Sequence, residues 1–226
     1  MRIGPELRAE WPFVDRLSRA DHAVKREVRT HGHNQSPGSI DPPRRERIDR
    51  NRWVSIRPIE ASDAAGLSDL YARLSPESTH RRFLSYAKPL DGALARAFTE
   101  REGEGFVGIL DAPGLNDGEV VAHASLQPDG LGGAEIAFAV ADELQGHGIG
   151  TALMETVVQH ARQLGLLRLS ATLFADNTPM RQLLRGAGCE IALDQIDAGT
   201  EEIALAICSL TALSPPQRAP RSPSPR

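Results

Sequence analysis

The sequence predicts an α+β fold: a mixed, mostly antiparallel sheet with a central βαβ unit and helices on both faces. Three observations predict it. Strand-like runs at 106–110, 119–126 and 134–140 are joined by short turns rich in Gly, Pro, Asn and Asp, which marks an antiparallel meander. The last run leads, through a short polar connection, to alternating glycines at Gly146, Gly148 and Gly150 and then to a helical pattern. Leu167, Leu169, Ala171 and Leu173 then alternate as a strand, which must run parallel to the one before the helix because a helix intervenes.

The elements follow in order. Val14, Leu17, Val24 and Val28 recur at roughly helical spacing, so one amphipathic helix is expected from about Pro12 to Arg29. His31 and His33 sit among Gly, Ser and Pro without a carboxylate or Cys partner; they read as linker rather than metal ligands, and 41–47 continues that linker. Residues 1–51 are thus an N-terminal helix and flexible linker, 52–212 the folded domain, and 213–226, rich in Ser, Pro and Arg, a disordered tail.

Trp53 to Arg57 alternate as a strand closed by Pro58. Ser62 and Asp63 cap a helix that carries Leu67, Leu70, Tyr71 and Leu74 on one side. Ser75-Pro76-Glu77 restarts a second helix, with serine at the cap, proline at the first position and acid in the first turn; it runs through Phe83, Leu84 and Tyr86. A third helix is expected from about Gly92 to Arg101, ahead of the meander. After the glycines, Ile149, Leu153, Val157 and Ala161 are spaced by four, Leu164 follows, and Gly165 ends the helix. Asp176-Asn177-Thr178-Pro179 caps one more helix, stopped by Gly186 and Gly188. Two last strands, about Cys189 to Leu193 and Glu202 to Leu210, turn at Asp197-Ala198-Gly199.

Composition bounds the function. A 40% hydrophobic fraction suits a globular protein, and no apolar run reaches membrane-spanning length, so no membrane partner is expected. The first residues carry charges throughout with no apolar signal region, which makes the cytoplasm the expected compartment. Cys189 and Cys208 have no metal-ligand spacing and read as reduced core residues. Residues 1–52 hold 12 basic and 8 acidic side chains, and 214–226 hold three arginines and no acid, so of the total −4 the middle carries −11. Such a core does not suit nucleic acid, whose affinity rests on neutralised phosphates; it suits a partner presenting a cation, or simply a solvated surface.

A strand that brings a glycine loop onto a helix start is a device for holding phosphate: amides converge there and the helix dipole is positive. A Walker loop needs Lys followed by Ser or Thr after the last glycine, and here Thr151 follows Gly150 directly. A Rossmann site needs Gly-x-Gly-x-x-Gly right after the fold's first strand, whereas this chain has Gly-x-Gly-x-Gly behind three meander strands. Gln145-Gly-His-Gly-Ile-Gly150 instead resembles the Gln/Arg-x-x-Gly-x-Gly pyrophosphate loop of the GNAT superfamily of acetyl-CoA-dependent N-acetyltransferases. The element order across about 52–210 is similar to that family's, and Asp176 to Gly188 sits where the family places its second cofactor motif. Three segments resemble the catalytic domain of bacterial protein lysine acetyltransferases: Ala134-Glu-Ile-Ala-Phe-Ala-Val140, Leu74 to Phe83, and Asp176-Asn-Thr-Pro-Met180.

The resemblance implies acetyl-CoA as co-substrate and a protein lysine, or alternatively a small amine, as acceptor. It implies that the amides of Gly146, His147, Gly148, Ile149, Gly150 and Thr151, behind Gln145, hold the pyrophosphate. Ala137, Phe138, Ala139 and Val140 would pair main chain with the pantetheine arm where two parallel strands splay apart. Asn177 would bond the pantetheine or thioester region, cap a helix, or do both. An attacking lysine amine has an intrinsic pKa near ~10.4, so a base must take its proton. Glu135 is the expected base: on a strand whose other face carries Ile136, Phe138 and Val140, it shares a face with Ala137 and Ala139, in a partly dry cleft where its pKa should rise. A solvated Glu135 at a strand start is the plain alternative. His123, on the neighbouring strand, reads as a structural histidine or a second candidate base. One departure stands out: Leu184 occupies the place where many relatives carry a Tyr that returns a proton to the leaving thiolate. A non-catalytic acyl-CoA-binding domain that regulates a partner is the reading of another class.

Overall fold

A computed structural model describes residues 44–84, 92–100, 105–112 and 118–207. Its strands are β1 (Arg44–Arg47), β2 (Trp53–Pro58), β3 (Gly105–Asp111), β4 (Val120–Pro128), β5 (Gly133–Val140), β6 (Arg168–Phe174), β7 (Glu190–Asp197) and β8 (Thr200–Ala206). The helices among these residues are α1 (Ala64–Arg73), α2 (Pro76–Phe83), α3 (Gly92–Thr99), α4 (Ile149–Gln163) and α5 (Thr178–Arg185). The strands form one eight-stranded sheet in the order β1-β2-β3-β4-β5-β6-β8-β7. Every neighbouring pair is antiparallel except β5 with β6, which α4 joins as a βαβ crossover.

Alternation along the strands splits the core into two layers. Ala122, Ala124 and Leu126 of β4 share a face with Phe138 and Ile136 of β5 and are covered by α4, with α5 alongside. The helical spacing of Ile149, Leu153, Val157 and Ala161 does what it predicts, since all four are buried. Leu164 falls just past the helix and is exposed. The opposite face, with His123 and Ser125 of β4, lies under α1, α2 and α3, where Tyr71, Phe83 and Phe98 form an aromatic cluster. Asp63 ties α1 to β2 through a two-pronged ion pair with Arg57, at 2.7 Å on each arm. It also accepts the Glu60 N–H at 2.8 Å, so its buried carboxylate is well satisfied.

Three differences from the sequence reading have physical causes. Residues 44–47, expected as linker, form β1. The strand has no apolar alternation, because polar contacts hold it: Arg44 pairs with Glu155, Arg45 with Asp111, and the Arg45 and Arg47 guanidiniums lie 5.9 and 5.5 Å from the Trp53 ring. α2 stops at Phe83, where Leu84 turns left-handed (φ 53°); Tyr86 lies outside the described residues. β7 is longer than expected and exposed along its whole length, because as the edge strand it needs no buried face. The expected N-terminal helix, the His31 and His33 tract, the tail and Cys208 also lie outside the described residues; Cys189 is half-buried, its Sγ 3.7 Å from the Ala187 carbonyl.

Candidate active site

The βαβ unit opens where its two parallel strands part. β5 and β6 pair at Gly133↔Arg168, Ala134↔Leu169 and Glu135↔Ser170, and no further. β5 continues to Val140, while β6 continues against β8 as far as Phe174↔Thr200. The edge of β5 from Ile136 to Val140 that faced β6 is therefore left without ladder partners, a row of main-chain donors and acceptors open to a ligand. A cleft of about 570 Å³ occupies this gap. Ala137, Phe138, Ala139 and Val140 line it, as do Gln145, Gly146, Gly148, Ile149, Gly150 and Thr151.

The glycine loop closes one end. Gly146 and Gly148 have φ of +78° and +85°, a region that favours glycine, so the chain turns tightly onto α4. The first intrahelical bond runs from the Ala152 N–H to the Gly148 carbonyl at 3.0 Å. The N–H groups of Ile149, Gly150 and Thr151 thus lie ahead of the ladder, at the positive end of the helix dipole. A β-carbon at Gly148 would stand 3.2 Å from Glu46 Oε1, so β1 also crowds this turn. Bare edge, glycine turn and free helix amides together fit the pyrophosphate and arm of an acyl-coenzyme A.

Asp142 organises the approach to the loop. Its carboxylate accepts the Ser75 N–H at 2.9 Å, the Ser75 hydroxyl at 3.0 Å and the Ser78 hydroxyl at 2.5 Å. Partial burial alone would raise its pKa, but these bonds from Ser78 and Ser75 outweigh burial and hold it below the ordinary value. Gln145 completes the knot, its amide Nε2 donating to the Val140 carbonyl (3.1 Å) and to Ser78 Oγ (3.2 Å). The cap of α2 is fastened in this way to the turn that delivers the glycines. His147 is exposed, its Nδ1 3.0 Å from the Gln145 carbonyl, and is not among the lining residues.

Glu135 lies at the last paired rung of β5, one residue before the lining run begins at Ile136. It is half-buried and lies in register with Gln127 and Ser170, on the sheet face that α2 covers. His123 is 1% exposed, its Nδ1 2.8 Å from the Tyr71 hydroxyl, with Phe98 edge-on at 5.0 Å. Burial, seconded by the Arg82 cation, pushes its pKa well below the ordinary value. It does not line the cleft, and its partner and burial fit the structural reading. Asn177 combines its two expected places: Oδ1 accepts the Met180 N–H at 3.2 Å as the cap of α5, and the residue lines the cleft with its amide NH2 left over. Leu184 is fully buried on the inner side of α5 and does not line the cleft.

The cleft also has a wall that sequence reasoning missed, to which α2 contributes Ser78, Arg81 and Arg82; α5, in the segment expected as a second cofactor motif, contributes Met180 and Leu183. Arg181 of α5 carries no lining role but anchors the helix, donating from Nε to the buried Glu201 of β8 at 2.9 Å.

Against known proteins, the description "Acetyltransferase (GNAT) family" matches residues 67–188. Acetyltransferase Pat of Mycolicibacterium smegmatis is 32% identical over 138 residues, which are 60% of this chain and 41% of that protein. The chain thus spans about two-fifths of the length of that relative. Among solved structures, the GNAT domain of the S. lividans protein PAT superposes with a TM-score of 0.59 at 25% identity, covering 68% of this chain and 90% of that one. A Salmonella typhimurium protein solved with acetyl-CoA shares the fold, with a TM-score of 0.54 at 18% identity over 69% of this chain and 94% of its own.

Proposed function

The chain belongs to the GNAT family of acetyltransferases, and from that premise we propose that it transfers acetyl from acetyl-CoA to lysine amines of proteins, with Glu135 as general base. The observation that carries the acyl-CoA part is the end of β5–β6 pairing at Glu135↔Ser170, which leaves the edge of β5 bare beside the glycine loop. Support for a lysine acceptor comes from the segments Leu74–Phe83, Ala134–Val140 and Asp176–Met180, which resemble the catalytic domain of bacterial protein lysine acetyltransferases.

Acetyl-CoA, when bound, supplies a thioester carbonyl open to attack by an amine, with the thiolate as leaving group. The chain's own residues do the rest. The amides of Gly146 to Thr151 bind the pyrophosphate at the start of α4, and the open edge at Ala137 to Val140 aligns the arm. Asn177 offers its amide NH2 to the arm from the opposite wall. The acceptor arrives as an ammonium. Glu135 removes its proton, directly or through one water, because only the neutral amine has the lone pair that forms the new C–N bond. No residue is assigned to return a proton to sulfur: Leu184 has none to give.

Incubation with acetyl-CoA and a cell lysate, read by mass spectrometry, tests the acceptor. New N-ε-acetyl-lysines on proteins are expected. Thiol release with polyamines but no protein acetylation would move the acceptor to small amines. Acetyl-CoA binding without thiol release would make the domain a sensor.

A further inference from the structure

Arg82 is the feature that the reading so far leaves unused. It is 9% exposed, sits on α2 and lines the cleft. Its guanidinium is wedged between the rings of Phe83 (5.0 Å) and Phe98 (5.7 Å), and Nη2 donates to Ser125 Oγ at 3.0 Å. Its Nε is buried and has no acceptor among the described residues. Its neighbour Arg81 also lines the cleft but is compensated, pairing with Glu77 at 2.6 Å. No carboxylate among the described residues pairs with Arg82 in the way that Asp63 pairs with Arg57.

A guanidinium taken out of water is costly unless an anion or several acceptors compensate it. Ring faces and the hydroxyls of Ser125 and Tyr71 offset only part of that cost. The position narrows what is missing. Ser125, to which Arg82 donates, is the cross-strand partner of Ala137, and its hydroxyl lies 3.5 Å from the Ala137 carbonyl. Arg82 therefore stands over the stretch of β5 where the open edge begins, at the rung that Ala137 shares with Ser125, two residues after Glu135. A planar guanidinium in a cleft wall, with no carboxylate of its own among the described residues, matches a carboxylate.

We propose that Arg82 is a carboxylate-binding residue at the reacting end of the cleft, so that one of the two reactants carries a carboxylate beside the reacting atoms. Two sources share that chemistry: an acyl chain ending in a carboxylate, as in a dicarboxylic acyl-coenzyme A, or an acceptor with a carboxylate near its amine. The inference rests on the cleft being the acyl-CoA site and changes one reactant of the proposed reaction: the first source replaces the acetyl group, the second replaces the protein lysine as acceptor.

Calorimetry on the full chain separates these. The first arm compares succinyl-CoA with acetyl-CoA. The second compares lysine with lysine amide, titrated into protein saturated with coenzyme A. The carboxylate-bearing member of one pair is expected to bind about tenfold or more tightly, as a charge-assisted bond allows. Arg82→Met should erase that preference and leave coenzyme A binding intact. Arg82→Lys, which keeps the charge but loses the planar fork, should reduce it several-fold, and this variant keeps the test alive if the Met variant does not fold. Preference in the first arm assigns the acyl group, and in the second the acceptor. Coenzyme A binding with no preference in either arm, or a preference unchanged in the Arg82 variants, would overturn the inference alone. Absence of coenzyme A binding would overturn the acyl-CoA reading, and this inference with it.

Discussion

At Gly148 the backbone sits at φ +85°, and a β-carbon there would meet Glu46 Oε1 at 3.2 Å. Gly148→Ala should therefore cost about 1–2 kcal/mol from the left-handed backbone alone, which lowers Tm by a few degrees. It should also weaken acetyl-CoA binding, because the turn aims the α4 amides; calorimetry and a thermal scan read the two effects separately. Gly146 differs instructively: its φ is +78°, but a β-carbon would meet nothing within 4 Å, so Gly146→Ala carries only the backbone cost. These glycines were legible because a Gly-x-Gly-x-Gly run after a strand has few other uses. Arg82 was not. Arg81 and Arg82 are adjacent and chemically identical in the sequence, and only the packing of α2 decides that one pairs with the exposed Glu77 while the other is buried against Phe83 and Phe98. Glu135 was singled out as a carboxylate on a strand face otherwise lined by Ala, and the structure puts it at the last rung shared with β6, one residue before the lining run.

Among the elements, the contact of α2 with the turn before α4 carries the most specific prediction. Asp142 takes three bonds from Ser75 and Ser78, and Gln145 bridges Ser78 to the end of β5. Asp142→Ala removes the acceptor and unties the cap of α2 from the loop. A loss of about 2 kcal/mol in denaturant unfolding is expected, the size of one good bond to a charged group, together with weaker acetyl-CoA binding. Stability near that of the parent would show that the two elements hold their places independently. The cap itself was readable: Ser75-Pro76-Glu77 announces a helix start, and Ser75 Oγ does accept the Ser78 N–H at 3.1 Å. Its tie to Asp142 was not readable, because the partners lie 67 residues apart and local pattern is silent at that range. β1 escaped notice for a related reason. Its place depends on arginines bonding to Glu155 and Asp111 from other elements, and a run of charges has no apolar period to betray a strand.

For the molecule as a whole, the buried titratable groups predict a two-stage loss of stability in acid. His123 has a folded pKa well below its ordinary 6.5, because burial and the Arg82 cation disfavour the charged ring. Below pH 6.5 the unfolded chain takes up a proton that the folded one refuses, so stability falls from there toward the folded pKa. Asp129 and Asp142 are held below 3.8: burial would raise both, but bonds from Leu131, Arg168 and Gly133 in one case, and from Ser78 and Ser75 in the other, prevail. Their contribution is present above about pH 3.8 and is lost as pH falls through the folded values. Urea midpoints against pH should show both stages, and His123→Gln should lack the first. The meander and its βαβ centre were foreseeable from alternation and turn residues, while the splay was expected only through the family resemblance, since pairing that stops at one rung leaves no trace in composition. The central claim joins that splay to Glu135. Its most direct test is the rate of thiol release at saturating acetyl-CoA with a lysine acceptor, followed across pH for the parent protein and Glu135→Gln. The account predicts unchanged acetyl-CoA affinity and a rate lowered about 10²–10⁴-fold; equal rates for the two proteins at every pH would contradict it.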